Sequence, residues 1–114
     1  MNRRYCLALD LKDDPKLIEA YKDAHRKENF RAEITSSIRD AGVTNMEIYL
    51  TGNRLFMIME VDETFSFEKK AEMDAENDKV QDWETFVGIF QQVLPWAKQG
   101  EKWVLMDKIY ALEK

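Results

Sequence analysis

The apolar positions of this chain change period as one reads along it, and each change marks an element. In "RRYCLALDLK", Tyr5, Leu7, Leu9 and Leu11 alternate with Cys6, Ala8 and Asp10. Period two predicts a strand. "DDPK" then predicts a helix start, with Asp14 as N-cap and Pro15 in the first turn. Leu17, Ile18, Tyr21 and His25 follow at steps of three or four, on one helix face. A second helical pattern, Phe30, Ile34 and Ile38, runs to Gly42, a residue suited to a helix stop. "TNMEIYL" and "RLFMIMEV" predict two strands joined through Thr51-Gly52-Asn53 as a hairpin. "SFEKKAEMDAEN" predicts a polar helix capped by Ser66. "KVQDWETFVGIFQQVL" predicts an amphipathic helix with Val80, Trp83, Phe86 or Val87, Phe90 and Leu94 on one side, ended by Pro95. "KWVLMDKIYAL" predicts a final strand.

The order β-α(α)-β-β-α(α)-β is the split βαβ pattern of α+β ferredoxin-like folds. It implies one antiparallel sheet of four strands with helices on one face, in a single domain spanning residues 1–114. Both faces of that sheet carry apolar side chains. Leu55, Met57, Met59 and Val61 oppose Phe56 and Ile58, and Trp103, Leu105 and Ile109 oppose Val104, Met106 and Tyr110. One helical layer covers one face, and a bare apolar face is characteristic of an interface. The expectation is a homodimer packed sheet against sheet; the alternative is a monomer whose thick side chains shield the face.

Composition narrows the function classes. Net charge is −5 with acidic and basic residues interleaved, so no basic stripe offers itself to phosphates and nucleic acid is disfavoured as a partner. No stretch reaches the ~18 apolar residues of a membrane span. Asp10, Lys12, Asp13 and Asp14 follow the first apolar run, which does not read as a leader. A single Cys6 cannot close an internal disulfide, which suits a reducing cytoplasm. One Cys and one His do not supply a usual zinc site, and no D-x-D-x-D loop appears, so no metal is expected. Phosphate loops, dinucleotide fingerprints and Gly-flanked nucleophile elbows are also missing, so no cofactor is expected.

What remains is the segment around the single histidine. Tyr21 and His25 stand at i and i+4, so their side chains share one face. Two proton-handling groups on one rigid helix suit a reaction that moves protons between two nearby oxygens. The same spacing also describes a capping histidine at a helix end beside a core tyrosine. Trp83 and Trp96 offer flat faces for stacking on a sugar, or a core residue and a plug at a helix end. Asp10, Asp74, Glu47 and Glu60 are further carboxylates with no partner readable from spacing.

The chain as a whole resembles the L-rhamnose mutarotase family. The resemblance runs from "RYCLALDLKDDP" to "KWVLMDKIYAL" and is carried by Tyr21-x-x-x-His25, Glu33, "AGVTNMEIYL", "NRLFMIMEVD", "VQDWE" and "LPWA". It implies a dimeric α/β-barrel type of ferredoxin-like fold, no cofactor, and a monosaccharide substrate. It also assigns proton donation to His25 and sugar binding to Tyr21. The family's tryptophan pair is kept as Trp83 but broken by Glu84, its strand tyrosine is replaced by Met46, and its Trp-Pro-Glu reads Arg31-Ala32-Glu33. Met46, Trp83, Glu84 and Arg31 are therefore the expected pocket wall, with Glu84 and Arg31 offering hydrogen bonds to hydroxyls where relatives offer aromatic surface. The implied activity is α/β anomer interconversion of a 6-deoxy-L-hexose, L-rhamnose in first place and L-fucose as the alternative. A non-catalytic sugar-binding dimer and a cofactor-free oxygenase or haem-degrading protein on the same fold are the rival classes.

Overall fold

The computed structural model describes residues 3–112. Strand β1 (Arg3–Leu11) leads into helix α1 (Pro15–Ala24) and helix α2 (Ala32–Asp40). Strands β2 (Val43–Thr51) and β3 (Arg54–Val61) form the hairpin. Helices α3 (Phe67–Ala75) and α4 (Asp78–Gly88) follow, and two short strands, β4 (Gln91–Gln92) and β5 (Val104–Leu105), end the regular structure. The sheet is antiparallel, in the order β2-β3-β1-β4, with β5 also on the free edge of β1. That is the ferredoxin-like arrangement, open rather than closed into a barrel.

Local chemistry explains most of the boundaries. The Asp14 carboxylate accepts from the backbone N–H groups of Lys16 and Leu17, and Pro15 occupies the first helical turn, where no N–H is needed. The Ser66 hydroxyl accepts from Lys69 N–H, and the Asn77 side chain accepts from Lys79 and Val80 N–H. Gly42 follows α2 with φ +101°, a conformation that side-chain-bearing residues rarely adopt. A Cβ there would also lie 2.8 Å from both Asp62 Oδ1 and Thr64 Oγ1.

Two expectations need correction. The helix predicted over 79–94 ends at Gly88, seven residues before Pro95. Glycine is a weak helix former, and the edge of β1 captures the chain just beyond it. Gln91 and Gln92 pair with Leu11 and Asp10, and Lys12 N–H donates to Phe90 O at 2.9 Å. Phe90 and Leu94 are buried all the same, so the apolar pattern holds while the backbone differs. The predicted last strand shrinks to Val104–Leu105, paired with Ala8 and Leu7. Ile109 and Tyr110 are 92% and 74% exposed, so their side chains find no packing surface in the same chain that would extend the strand. The fourth strand position is thus shared by two dipeptides.

The core lies between the sheet and the helices. Leu11, Tyr21, Ile34, Leu55, Val80, Trp83, Val87 and Phe90 form one cluster. Leu7, Val43, Met59, Val61 and Phe65 form a second, and Ile38 and Trp103 pack against both. Register places Leu7 opposite Met57, and Met57 opposite Ile48. Together with Met46 and Met59 they form an apolar floor beneath the helices.

Candidate active site

That floor is the base of a cavity of about 170 Å³. Tyr21 and His25 from α1, Ile34, Ser37 and Ile38 from α2, and Lys70 and Asp74 from α3 form its sides. Trp83, Glu84 and Val87 from α4, Gln91 from β4 and Trp103 complete it. The volume is below the roughly 300–1,000 Å³ of sites for drug-sized ligands, so the space suits a small molecule. His25, Phe30, Ile38, Met46 and Ile48 also line an adjoining open groove of about 410 Å³, which gives the cavity a mouth at the histidine.

The i, i+4 spacing brings Tyr21 and His25 together, with ring centroids 4.4 Å apart. His25 caps the C-terminus of α1, and its Nδ1 lies 2.8 Å from the Tyr21 backbone oxygen. A carbonyl oxygen only accepts, so Nδ1 carries the proton and the neutral ring keeps an unprotonated Nε2. Phe30 and Trp83 enclose the imidazole at 5.6 and 5.3 Å between centroids. Burial lowers the His25 pKa below its ordinary 6.5, partly offset by the backbone hydrogen bond. The ring is therefore neutral near pH 7, with one nitrogen free to accept a proton.

Tyr21 is buried, with its ring edge-on to Phe90. Its hydroxyl oxygen accepts from Gln91 Nε2 at 3.4 Å. Burial raises the phenol above 10, the Gln91 hydrogen bond works against this, and the Glu84 charge adds to the rise. The phenol therefore holds its proton. A hydroxyl that can give a proton and an imidazole nitrogen that can take one share one small, largely apolar space.

The remaining expected wall residues separate. Trp83 is both core and wall, so the two readings of it meet. Met46 lines the cavity at the mouth. Glu84 lines it too, with its carboxylate held by Lys102 Nζ at 2.8 Å. Arg31 does not line the cavity: its guanidinium lies 5.2 Å from the centroids of both Trp83 and Phe86, and it borders a separate recess with Glu33, Ile34, Lys79 and Asp82. Trp96 is exposed, beneath the Arg54 guanidinium at 5.2 Å, and plugs no helix end. The four unassigned carboxylates all have partners: Asp10 with Arg54, Asp74 with Lys70, Glu60 with Arg4, and Glu47 with the Tyr49 hydroxyl. Among the described residues, no group of three or more His, Cys, Asp or Glu is placed to hold a metal.

Sequence reasoning missed Lys70 and Gln91 as wall residues and left Asp74 unplaced. Lys70 and Asp74 stand at i, i+4 on α3, a spacing visible in the sequence. Gln91 was hidden by the helical reading of its segment.

Comparison with known proteins gives consistent findings. Residues 4–112 match the family model described as L-rhamnose mutarotase. An L-fucose mutarotase of Xanthomonas campestris pv. campestris is 38% identical over 112 residues, covering 98% of this chain and 90% of the relative. A crystal structure of an L-rhamnose mutarotase from Formosa agariphila superposes with a TM-score of 0.70 at 22% identity, over 97% of this chain and 99% of that one. The tetracenomycin F2 cyclase of Streptomyces glaucescens, a type-II polyketide cyclase, gives 0.66 at 16% identity, over 98% of both chains, and shares the fold.

Proposed function

The chain belongs to the L-rhamnose mutarotase family, and from that premise we propose that it interconverts the α and β anomers of a 6-deoxy-L-hexose by general acid–base catalysis. The observation that carries the reading is the placement of the His25 ring, its Nδ1 held at the Tyr21 carbonyl, and the Tyr21 hydroxyl on the wall of one small cavity. Ring opening needs both: a base at the anomeric O1–H and an acid at the ring oxygen O5.

His25 Nε2 takes the O1 proton as the C1–O5 bond breaks and the Tyr21 hydroxyl gives its proton to O5. The product is the open-chain aldehyde, with an imidazolium and a phenolate side by side. Burial disfavours each charge alone, so the two transfers run together and their opposite charges offset each other. Rotation about C1–C2 presents the other carbonyl face. O5 then attacks C1, its proton returns to Tyr21, and His25 returns a proton to O1. Positioned proton transfer of this kind contributes about 10²–10⁴-fold. Proton bookkeeping closes without metal, nucleotide or redox partner.

L-Rhamnose is the first substrate reading. L-Fucose is the second, and the Xanthomonas relative's name favours it. The wall supports a sugar that differs in contact from those of aromatic-walled relatives: Trp83 offers a face for stacking, while Glu84 offers an acceptor. The open side of the sheet exposes Tyr49, and the tail beyond β5 exposes Met106, Ile109 and Tyr110, which supports a homodimer joined through this side. A cytoplasmic setting fits the unpaired Cys6. Saturation-transfer NMR between anomeric protons of each sugar tests the activity. Enhanced exchange supports it, and binding without enhanced exchange would make the protein a sugar-binding dimer instead.

A further inference from the structure

One polar group in the cavity is left over by this chemistry. Gln91 lines the wall next to Tyr21, and its Nε2 donates to the Tyr21 hydroxyl oxygen. Its Oε1 is buried and has no hydrogen-bond partner among the described residues. Buried amide oxygens are nearly always paired, and one left over at a ligand cavity asks for a donor from the ligand. The cavity floor of leucine, methionine and isoleucine offers it no donor, and the Lys70 ammonium is engaged by Asp74.

We propose that Gln91 sets substrate specificity: its Oε1 accepts a hydrogen bond from one hydroxyl of the bound aldose while its Nε2 holds the Tyr21 oxygen. The inference rests on the cavity being the sugar site. The direction of the bonds has two consequences. Because the amide donates to Tyr21, the phenol's own proton is free to point at the substrate oxygen. Because the amide's oxygen and nitrogen are fixed to one carbon, the hydroxyl it reads lies on the side of the sugar that faces Tyr21. A sugar hydroxyl that bonds this oxygen relieves the cost of an unpaired buried acceptor, whereas a deoxy position leaves that cost in place. A site built to hydrogen-bond a hydroxyl discriminates strongly against a substrate without it. The methionine floor, by contrast, discriminates only by shape.

The test compares anomer exchange of L-rhamnose and L-fucose with that of analogues that each lack or gain one hydroxyl: their 2-deoxy, 3-deoxy and 4-deoxy forms, and L-mannose and L-galactose, which restore the 6-hydroxyl. The wild-type protein is expected to prefer one hydroxyl-bearing member over its deoxy counterpart by at least about tenfold in kcat/KM. Gln91→Met, with thermal unfolding as a check on folding, is expected to bring that one ratio to within about twofold of unity and to leave the other ratios unchanged. Gln91→Glu keeps an acceptor and so keeps the ratio, but its carboxylate engages the Tyr21 proton and lowers kcat. Ratios unmoved in a folded Gln91→Met, or moved equally for every hydroxyl, would overturn the assignment. If the wild type bound these sugars without exchanging anomers, the mutarotase reading would fall, and the same single-position loss would then be expected in the Kd series. If it bound none of them, both readings would fall.

Discussion

Replacing Tyr21 with phenylalanine separates the acid from the core residue that carries it. Tyr21 is 4% exposed, and its ring contacts with His25 and Phe90 survive the change. Two things are lost. The first is the partner of Gln91 Nε2, which leaves a second unpaired polar atom on an amide whose Oε1 is already without one. A buried group stranded in this way costs about 1–3 kcal/mol. Unfolding entropy near 2.1 cal/mol/K per residue gives about 240 cal/mol/K for 114 residues, so Tm should fall by about 4–12 °C. The second loss is the proton for O5. Removing a positioned general acid should slow exchange by about 10²–10⁴-fold, or about 3–5 kcal/mol in barrier. Line-shape or saturation-transfer NMR at about 20 °C, below the shifted melt, reads the rate on folded protein. A Tyr21→Phe protein that is folded and exchanges anomers within threefold of wild type would refute the acid's identity. A protein with unchanged Tm would refute the hydrogen-bond account of its surroundings.

Other expectations come from the same geometry. His25 is held neutral by burial, so kcat/KM should stay level near pH 7 and fall on an acid limb with its midpoint below 6.5; a midpoint above 6.5 would contradict the burial argument. The linkage has the same sign: with the folded pKa below the unfolded one, the unfolded chain binds the extra proton, so His25's contribution to stability is present above 6.5 and lost as pH falls from there through the folded value, which denaturant titrations at a series of pH values measure. Trp83→Phe should raise KM about 2- to 10-fold, for a stacking contribution of about 0.5–1.5 kcal/mol. Arg31→Met, outside the cavity, should leave KM within twofold and lower stability by about 0.5–1 kcal/mol through its lost contact with the Trp83 and Phe86 rings; steady-state kinetics and melts on the two variants separate wall from support. Gly42→Ala should lose about 2 kcal/mol or more, with a Tm drop of at least about 8 °C, because a positive φ and contacts of 2.8 Å to Asp62 and Thr64 act together. An unchanged melt there would show that the turn relaxes freely.

How far the sequence could be read depended on how local each cause was. Asp14, Pro15, Ser66 and Gly42 act within a few residues, and each marks a boundary that the structure keeps. The Tyr21–His25 pairing is equally local, set by the helix repeat. What period alone could not reach was the segment after Gly88. Its apolar positions fit a helix, yet β1 needs an edge partner at Asp10 and Leu11, and that need lies some eighty residues away in the chain. Gln91 changed from a helix surface residue to a cavity wall for that reason. The tail from Met106 shows the same limit: its alternation reads as a strand, but the chain offers no second surface for Ile109 and Tyr110 to pack on. Arg31 could be located on the chain but not in space, because Trp83 and Phe86 draw its guanidinium to their outer side.

The central claim is that His25 moves the proton at the anomeric oxygen. The direct measurement is saturation-transfer NMR between the α and β anomeric protons of L-rhamnose and of L-fucose, with wild type and His25→Ala at pH 7 and equal concentration. The account predicts strongly enhanced exchange of at least one sugar by wild type and a loss of about 10²–10⁴-fold in the folded variant. Full activity in folded His25→Ala, or no enhanced exchange of either sugar by wild type, would contradict it.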